Sequence, residues 1–329
     1  ALELFDFQYR ENPAFRRISQ AFGKSPDNVA TWDDIPAVPT GAFKQARLAC
    51  FPETDARVAF QTSGSTTGAR GRLELDTTDV YEASLLATFG AYLCPDAPLP
   101  FAVLAPSAAD ARDSSLSFMF DRAAREFASG EPRFYLTEEG WSVDRVIDDL
   151  AEQHEPLLVA GTAFAFVHLT DALTAAERSL ELPPGTRVME TGGFKGRSRV
   201  IAREELHARI STTLGVPTSR IVNQYGMCEL GSQFYEDSLR LGSNSTVKKV
   251  PPWVRTRAVA LDSMLDVQPG ELGVLVHYDL ANTGSVLAVQ TSDLGRLVEG
   301  GFEVSGRLEG AEARGCSIAA DVLLAETSG

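Results

Sequence analysis

Three segments of this 329-residue chain combine residue types whose spacing suits phosphate and a nucleoside. Gln61-Thr62-Ser63-Gly64-Ser65-Thr66-Thr67-Gly68 gathers hydroxyls and two glycines behind the strand-like run Arg57-Val58-Ala59-Phe60. Ser and Thr donate hydrogen bonds to phosphate oxygens without adding bulk, and glycine lets the backbone approach closely. A Walker loop is excluded, because Gly64 would require Gly-Lys at positions occupied by Ala69 and Arg70. Asn223-Gln224-Tyr225-Gly226-Met227-Cys228-Glu229 sets an aromatic face a few residues from a carboxylate, a pairing suited to stacking a base and holding Mg²⁺. Thr291-Ser292-Asp293-Leu294-Gly295-Arg296 puts a carboxylate in a turn, where it can accept both hydroxyls of a ribose. Each segment, taken singly, is equally the chemistry of an ordinary surface loop or turn. A fourth feature is Cys316, which lies close to Arg314 in a segment with few large apolar side chains. A nearby cation favours the nucleophilic thiolate, although a free cysteine is more commonly a small buried hydrophobe.

Elements of two periodicities must position these residues. Short apolar runs at Phe101–Leu104, Leu157–Val159 and Arg220–Val222 read as strands, separated by stretches of helical spacing. Leu116, Phe120, Ala123 and Phe127 mark one helix ending near Gly130, and Val143, Val146, Ile147 and Leu150 mark another behind the N-cap Ser142. Leu206, Ile210 and Leu214 mark a third that stops at Gly215. Alternation of strand and helix over residues 58–225 predicts an α/β layer architecture, with ligands at the carboxyl ends of the strands. After Pro251-Pro252 the texture changes to glycine-broken apolar runs at Leu272–Leu280, Val286–Gln290 and Gly295–Arg307, which read as hairpins. The expected division is an α/β core over residues 1–250 and a β-rich subdomain over 251–329.

Composition narrows the partners. Thirty basic against forty-five acidic residues leave a net charge of −15, which repels phosphate backbones and argues against nucleic acid. The four cysteines, Cys50, Cys94, Cys228 and Cys316, are widely spaced, with no CxxC pair and no disulfide framework. Leu157–Leu169, the longest nearly uncharged stretch, is shorter than the roughly 20 residues a bilayer span needs. The N-terminal residues carry acids where a signal peptide carries lysines. The expectation is a cytoplasmic protein without a membrane span.

In order and character, the three segments resemble the motifs of the adenylate-forming superfamily of acyl and aryl CoA ligases, luciferases and adenylation domains. That resemblance implies ATP and Mg²⁺ as cofactors, with Thr62, Ser63, Gly64, Ser65, Thr66, Thr67 and Gly68 on the phosphates. It implies Gln224, Tyr225 and Gly226 at the adenine, with Tyr225 stacking, Glu229 on Mg²⁺ and Asp293 on the ribose. Gly192-Gly193, in Glu190-Thr191-Gly192-Gly193-Phe194-Lys195-Gly196, looks like the segment lining the other face of the adenine, and Arg307 resembles the hinge-proximal arginine. Two departures stand out: Cys228 replaces a usual Thr, and only about twenty residues follow Arg307, so a core without a separate lid and its catalytic lysine is expected.

A narrower resemblance rests on Phe5-Asp6-Phe7-Gln8-Tyr9, Asn12-Pro13, Asp34-Ile35-Pro36, Phe43-Lys44, Thr191–Gly196 and Arg314-Gly315-Cys316-Ser317. Together these look like the LuxE-type acyl-protein synthetases of the fatty acid reductase complex. That family activates a fatty acid as an acyl-adenylate and takes the acyl group onto its own cysteine, the position of Cys316 here. The resemblance implies a carboxylic, fatty acyl substrate and an acyl-accepting reductase or carrier protein as partner. Bringing a carboxylate to a phosphate needs cations besides Mg²⁺, and Lys195 is the first candidate, with Lys44 and Arg307 behind it. Two alternatives stay open: a ligase charging CoA or a carrier thiol without self-acylation, and a non-catalytic nucleotide-binding subunit.

Overall fold

The computed structural model describes residues 1–62, 70–137, 140–192 and 201–308. The chain folds as two compact units, each containing its own sheet. One comprises Leu85–Gly226 and Gln233–Lys248; the other comprises Ala1–Ser84, Met227–Ser232 and the chain from Lys249 onward.

The first unit is the α/β layer that the alternating pattern predicts. Its six-stranded sheet runs Phe234–Tyr235, Ile221–Tyr225, Arg187–Thr191, Leu158–Thr162, Phe101–Leu104, Arg133–Phe134. Every pairing is parallel except that of Phe234–Tyr235. Helices cover the sheet, so its central strands are buried along nearly their whole length and read as continuous apolar runs rather than as an alternation. The expected helices are present as Ser115–Phe127, Val143–Ala151 and Arg203–Leu214. Ser142 caps the second by accepting from the Arg145 amide at 3.4 Å, satisfying an otherwise orphaned donor. Gly215 ends the third at φ +68, the left-handed conformation a side chain would strain. The apolar stretch Leu157–Leu169 divides between a strand and the helix Ala163–Ala175. Among the described residues no helix is long and apolar enough to cross a membrane.

The second unit is β-rich, and it contains more of the chain than residues 251–329. Its main sheet orders Val38–Pro39, Ala288–Val298, Gly273–Asp279 and Val254–Val259, with Gly301–Arg307 also pairing with Ala288–Val298. A separate hairpin joins Val58–Gln61 to Arg72–Leu75. These units cut the chain differently from a division at residue 250, for a visible reason. Val38–Pro39 pairs in parallel with Val289 and Gln290. Gln8, fully buried, donates to the Asn282 and Thr283 carbonyls and accepts from the Leu287 amide, all within 3.1 Å. Asn12 donates to the Ser285 carbonyl while its Oδ1 caps the helix Pro13–Ala21. Buried amides require partners, and those of the N-terminal helices find them on the 282–287 turn.

Candidate functional site

In the α/β unit the candidate residues lie at the carboxyl ends of two neighbouring parallel strands, where ligands of such sheets collect. Thr191 and Gln224 are opposite one another in register. The Thr191 hydroxyl lies 3.1 Å from the Gln224 carbonyl and in short contact with the Gln224 side-chain oxygen, tying the two ends together. Beyond them the backbone turns away through Gly192 (φ +82), where a Cβ would meet nothing within 4 Å, and through the exposed Gly226. The half-buried Tyr225 ring rests against Phe234 with centroids 5.8 Å apart and planes tilted by 47°. Gly192, Gln224, Tyr225 and Gly226 are thus neighbours, with an aromatic ring on one strand end and open backbone on the next. That donor set fits a flat heterocycle.

In the β-rich unit the hairpin Val58–Gln61/Arg72–Leu75 ends at Thr62 and Gly71. The Thr62 amide donates to the Gly71 carbonyl at 2.9 Å, and the Gly71 amide donates to the Thr62 hydroxyl at 2.8 Å. This closes the mouth of the Ser/Thr/Gly-rich segment; Ser63, Gly64, Ser65, Thr66, Thr67 and Gly68 lie outside the described residues. Glu229 is buried in the stretch Met227–Ser232. Asn282 Nδ2 donates to the Glu229 carbonyl at 2.9 Å, and Asp279 accepts from the Ser232 hydroxyl at 2.8 Å. A Cβ on Gly231 would come within 2.7–2.9 Å of the Ala281 and Asn282 backbone, so this stretch is pressed against the 279–282 turn. One carboxylate at this place suits Mg²⁺, which is usually bound by one or two carboxylates together with substrate phosphates.

Asp293 and Arg307 are register partners across the hairpin Ala288–Val298/Gly301–Arg307, and their side chains form an ion pair at 3.8 Å. The Asp293 amide donates to the Thr291 hydroxyl at 3.0 Å, and that hydroxyl donates to the Leu275 carbonyl at 2.8 Å. Asp293 thus lies within the strand Ala288–Val298 and not in the turn its sequence suggests, because residues 288–298 pair with their neighbours; it is half-buried, with the exposed arginine beside it.

Gly193, Lys195, Arg314 and Cys316 lie outside the described residues. Lys44 closes a short 3-10 turn, Thr40–Lys44, and is exposed. Cys50, Cys94 and Cys228 are buried, and burial pushes the Cys50 and Cys94 thiols up to about 12. Those two are protonated and inert at neutral pH, in keeping with a structural role.

A group absent from the sequence reading is the cluster of Lys248, Glu236, Asn223, Glu190, Arg203 and His207. Lys248 Nζ donates to Glu236 Oε1 at 2.9 Å and contacts the Asn223 carbonyl and Oδ1. Arg203 Nη1 donates to the same Glu236 oxygen at 2.6 Å, and the Asn223 amide donates to its other oxygen at 3.1 Å. Asn223 Nδ2 donates to Glu190 Oε1 at 2.6 Å, with His207 Nε2 3.1 Å from that oxygen. Burial draws the Lys248 ammonium below the ordinary lysine range, and Glu236 opposes that shift. Lys248 stands next to Lys249, two residues before Val250-Pro251, and nothing in its spacing distinguishes it from a solvated surface lysine.

Comparison with known proteins adds three findings. The family model described as acyl-protein synthetase, LuxE, matches residues 1–324. The long-chain-fatty-acid–luciferin-component ligase of Aliivibrio fischeri is 23% identical over 309 residues, spanning 90% of this chain and 78% of that protein. Among solved structures, 2-hydroxyisobutyryl-CoA ligase in complex with 2-HIB-AMP and CoA superimposes with a TM-score of 0.71 at 15% identity, covering 95% of this chain and 70% of that one. ATP-bound MatB from Rhodopseudomonas palustris gives a TM-score of 0.55 at 16% identity, covering 78% of this chain. The match spans about half the length of MatB, 49% of it. At such identities the structural likeness establishes the fold alone, a mixed α/β architecture that the chain shares with these two proteins.

Proposed function

Because the chain belongs to the LuxE acyl-protein synthetase family, we propose that it activates a carboxylic acid with ATP and takes the acyl group onto its own Cys316. The name of the Aliivibrio fischeri relative points to a long-chain fatty acid as the substrate.

In the first half-reaction a carboxylate oxygen attacks the α-phosphorus, the bond to the leaving pyrophosphate breaks, and an acyl-adenylate remains. Adenine stacks on Tyr225 against the Gly192-Gly193 backbone, with Gln224 and Gly226 beside it, and Asp293 accepts from the ribose hydroxyls. Thr62 and the hydroxyls of Ser63, Ser65, Thr66 and Thr67, with the amides of Gly64 and Gly68, donate to the phosphates. Mg²⁺, held by Glu229 and the phosphates, would offset the charge that two anions bring together. Lys195 supplies the second cation, aided by Arg307. In the second half-reaction the Cys316 thiolate attacks the acyl carbon, the bond to AMP breaks, and AMP departs as a stable anion. A thioester held on the protein needs an acceptor, so a reductase or a carrier protein is the expected partner, and the free thiol suits a reducing cytoplasm.

The observation that supports this reading most is the register pairing of Thr191 with Gln224 at adjacent strand ends, each followed directly by Gly192 or Tyr225, in a chain matched to the family almost from end to end. Acid-dependent exchange of labelled pyrophosphate into ATP tests the first half-reaction. Exchange that requires a fatty acid supports it. Binding of ATP without exchange would leave a non-catalytic nucleotide-binding subunit instead.

A further inference from the structure

The two strand ends assigned above to adenine are held from behind by the network centred on Lys248. The Lys248 and Glu236 side chains are 2% and 1% exposed, and that of Glu190 is 2% exposed. Asn223 is the register partner of Glu190 across the parallel strands. Glu190 immediately precedes Thr191-Gly192, and Asn223 stands two residues before Tyr225, on the same face of the sheet. One ammonium therefore reaches both a carboxylate on the returning chain and the strand that carries the aromatic ring, and Asn223 relays the contact to the neighbouring strand.

A buried ion network is an inefficient way to hold a fold together, since desolvation cancels much of the attraction and apolar residues of equal volume do as well. Its distinctive product is fixed geometry. Every polar atom of Asn223 is engaged: amide to Glu236, carbonyl and Oδ1 to Lys248, Nδ2 to Glu190. Such a residue cannot rotate or slide, and neither can the strand end that follows it. Lys248 and Arg203 both meet Glu236, while Glu190 is held by Asn223 and His207.

We propose that Lys248 is a positioning residue for the nucleotide, fixing Tyr225 through Asn223 and the Gly192 turn through Asn223 and Glu190. The inference rests on the adenine assignment made under the proposed function.

The test uses the full chain with Lys248→Met, and with Lys248→Met combined with Glu236→Gln, which removes one charge of each sign. Pyrophosphate exchange with palmitate gives kcat and the two KM values, calorimetry gives ATP affinity, and thermal unfolding monitors the fold. The expected result is a KM for ATP raised on the order of tenfold or more, as displaced binding groups cause, with kcat and the KM for palmitate within about twofold. The double variant should regain most of the lost thermal stability and keep the raised KM for ATP. Wild-type ATP affinity in either folded variant would overturn the inference while leaving the adenine assignment intact. So would a loss that tracks only the unfolded fraction, or failure of both variants to fold, each marking a purely structural role. Absence of ATP binding by the unaltered chain would instead defeat the adenine assignment, and this inference with it.

Discussion

The β-rich unit fixes its proposed ribose carboxylate by local means, whereas the α/β unit fixes its proposed base site with side chains drawn from distant parts of the chain. Asp293 is set by Thr291 two residues earlier and by the cross-strand Arg307, all within one hairpin. Tyr225 and Gly192 depend on Lys248, Glu236, Arg203 and His207, which come from the chain's return and from the helix Arg203–Leu214. Among the buried carboxylates, Glu74 of the β-rich unit pairs with Arg47 and Arg72 much as those of the network pair with their partners, but Asp279 stands apart. Glu236 and Glu190 meet cations or a histidine, while Asp279 accepts from the Ser232 hydroxyl and the Ala281 amide, which are neutral. Local chemistry tolerates the loss of one partner; a buried network does not.

The largest effect should follow removal of one charge from the network. Lys248→Met leaves the buried Glu236 with Arg203 alone and takes the donor from Asn223 Oδ1, a break whose upper bound is about 3–5 kcal/mol, visible in urea or thermal unfolding. A cost under about 1 kcal/mol would show that the network is not tightly coupled and would erase the contrast between the units.

A second, steric substitution probes the other unit. Gly231→Ala drives a methyl into the Ala281–Asn282 backbone, with overpacking of about 1–3 kcal/mol and displacement of the stretch carrying Glu229. Mg²⁺-dependent exchange should fall more than ATP binding does. Equal losses in both would mean that the 279–282 turn does not set Glu229.

Asp279 turns the difference into a pH dependence. Burial raises its carboxyl to about 6 against hydrogen bonds that favour ionisation. The native state therefore holds this proton more tightly than the unfolded chain, and the associated stability is present below about pH 4 and lost as the pH climbs to about 6, on the order of 3 kcal/mol in all. Asp279→Asn removes that loss, so its stability relative to the unaltered chain should increase between pH 4.5 and pH 7. A difference that stays flat with pH would contradict the raised value.

The smallest effect belongs to Arg307→Gln. An ion pair at 3.8 Å with the arginine largely exposed is worth no more than about 1 kcal/mol, and thermal unfolding should barely change. A marked drop in stability would show the hairpin to be as interdependent as the network around Lys248.

What the sequence made legible follows the same line. Ser142, Gly215, the strand at Phe101–Leu104 and the hairpin ending at Arg307 are encoded within a few residues, and each is where the pattern puts it. The hydrogen bond from the Asp293 amide to the Thr291 hydroxyl is equally local, although both residues lie in a strand where the sequence suggests a turn. Lys248 is different: its neighbours lie 12, 25, 45 and 58 positions away at Glu236, Asn223, Arg203 and Glu190, and only folding brings them together. The membership of the β-rich unit was hidden for the same reason, because Gln8 and Asn12 meet residues 282–287 across most of the chain. Ser63–Gly68, Gly193, Lys195 and Cys316 lie outside the described residues, so their roles rest on sequence and family alone.

Intact-protein mass spectrometry tests the central claim most directly. The chain and its Cys316→Ser variant are incubated with ATP, Mg²⁺ and a series of fatty acids, then treated with hydroxylamine. The account predicts a gain of one acyl group on the unaltered chain, reversed by hydroxylamine and missing from the variant. Acyl-AMP formation with no mass gain, or an identical gain on the serine variant, would contradict it.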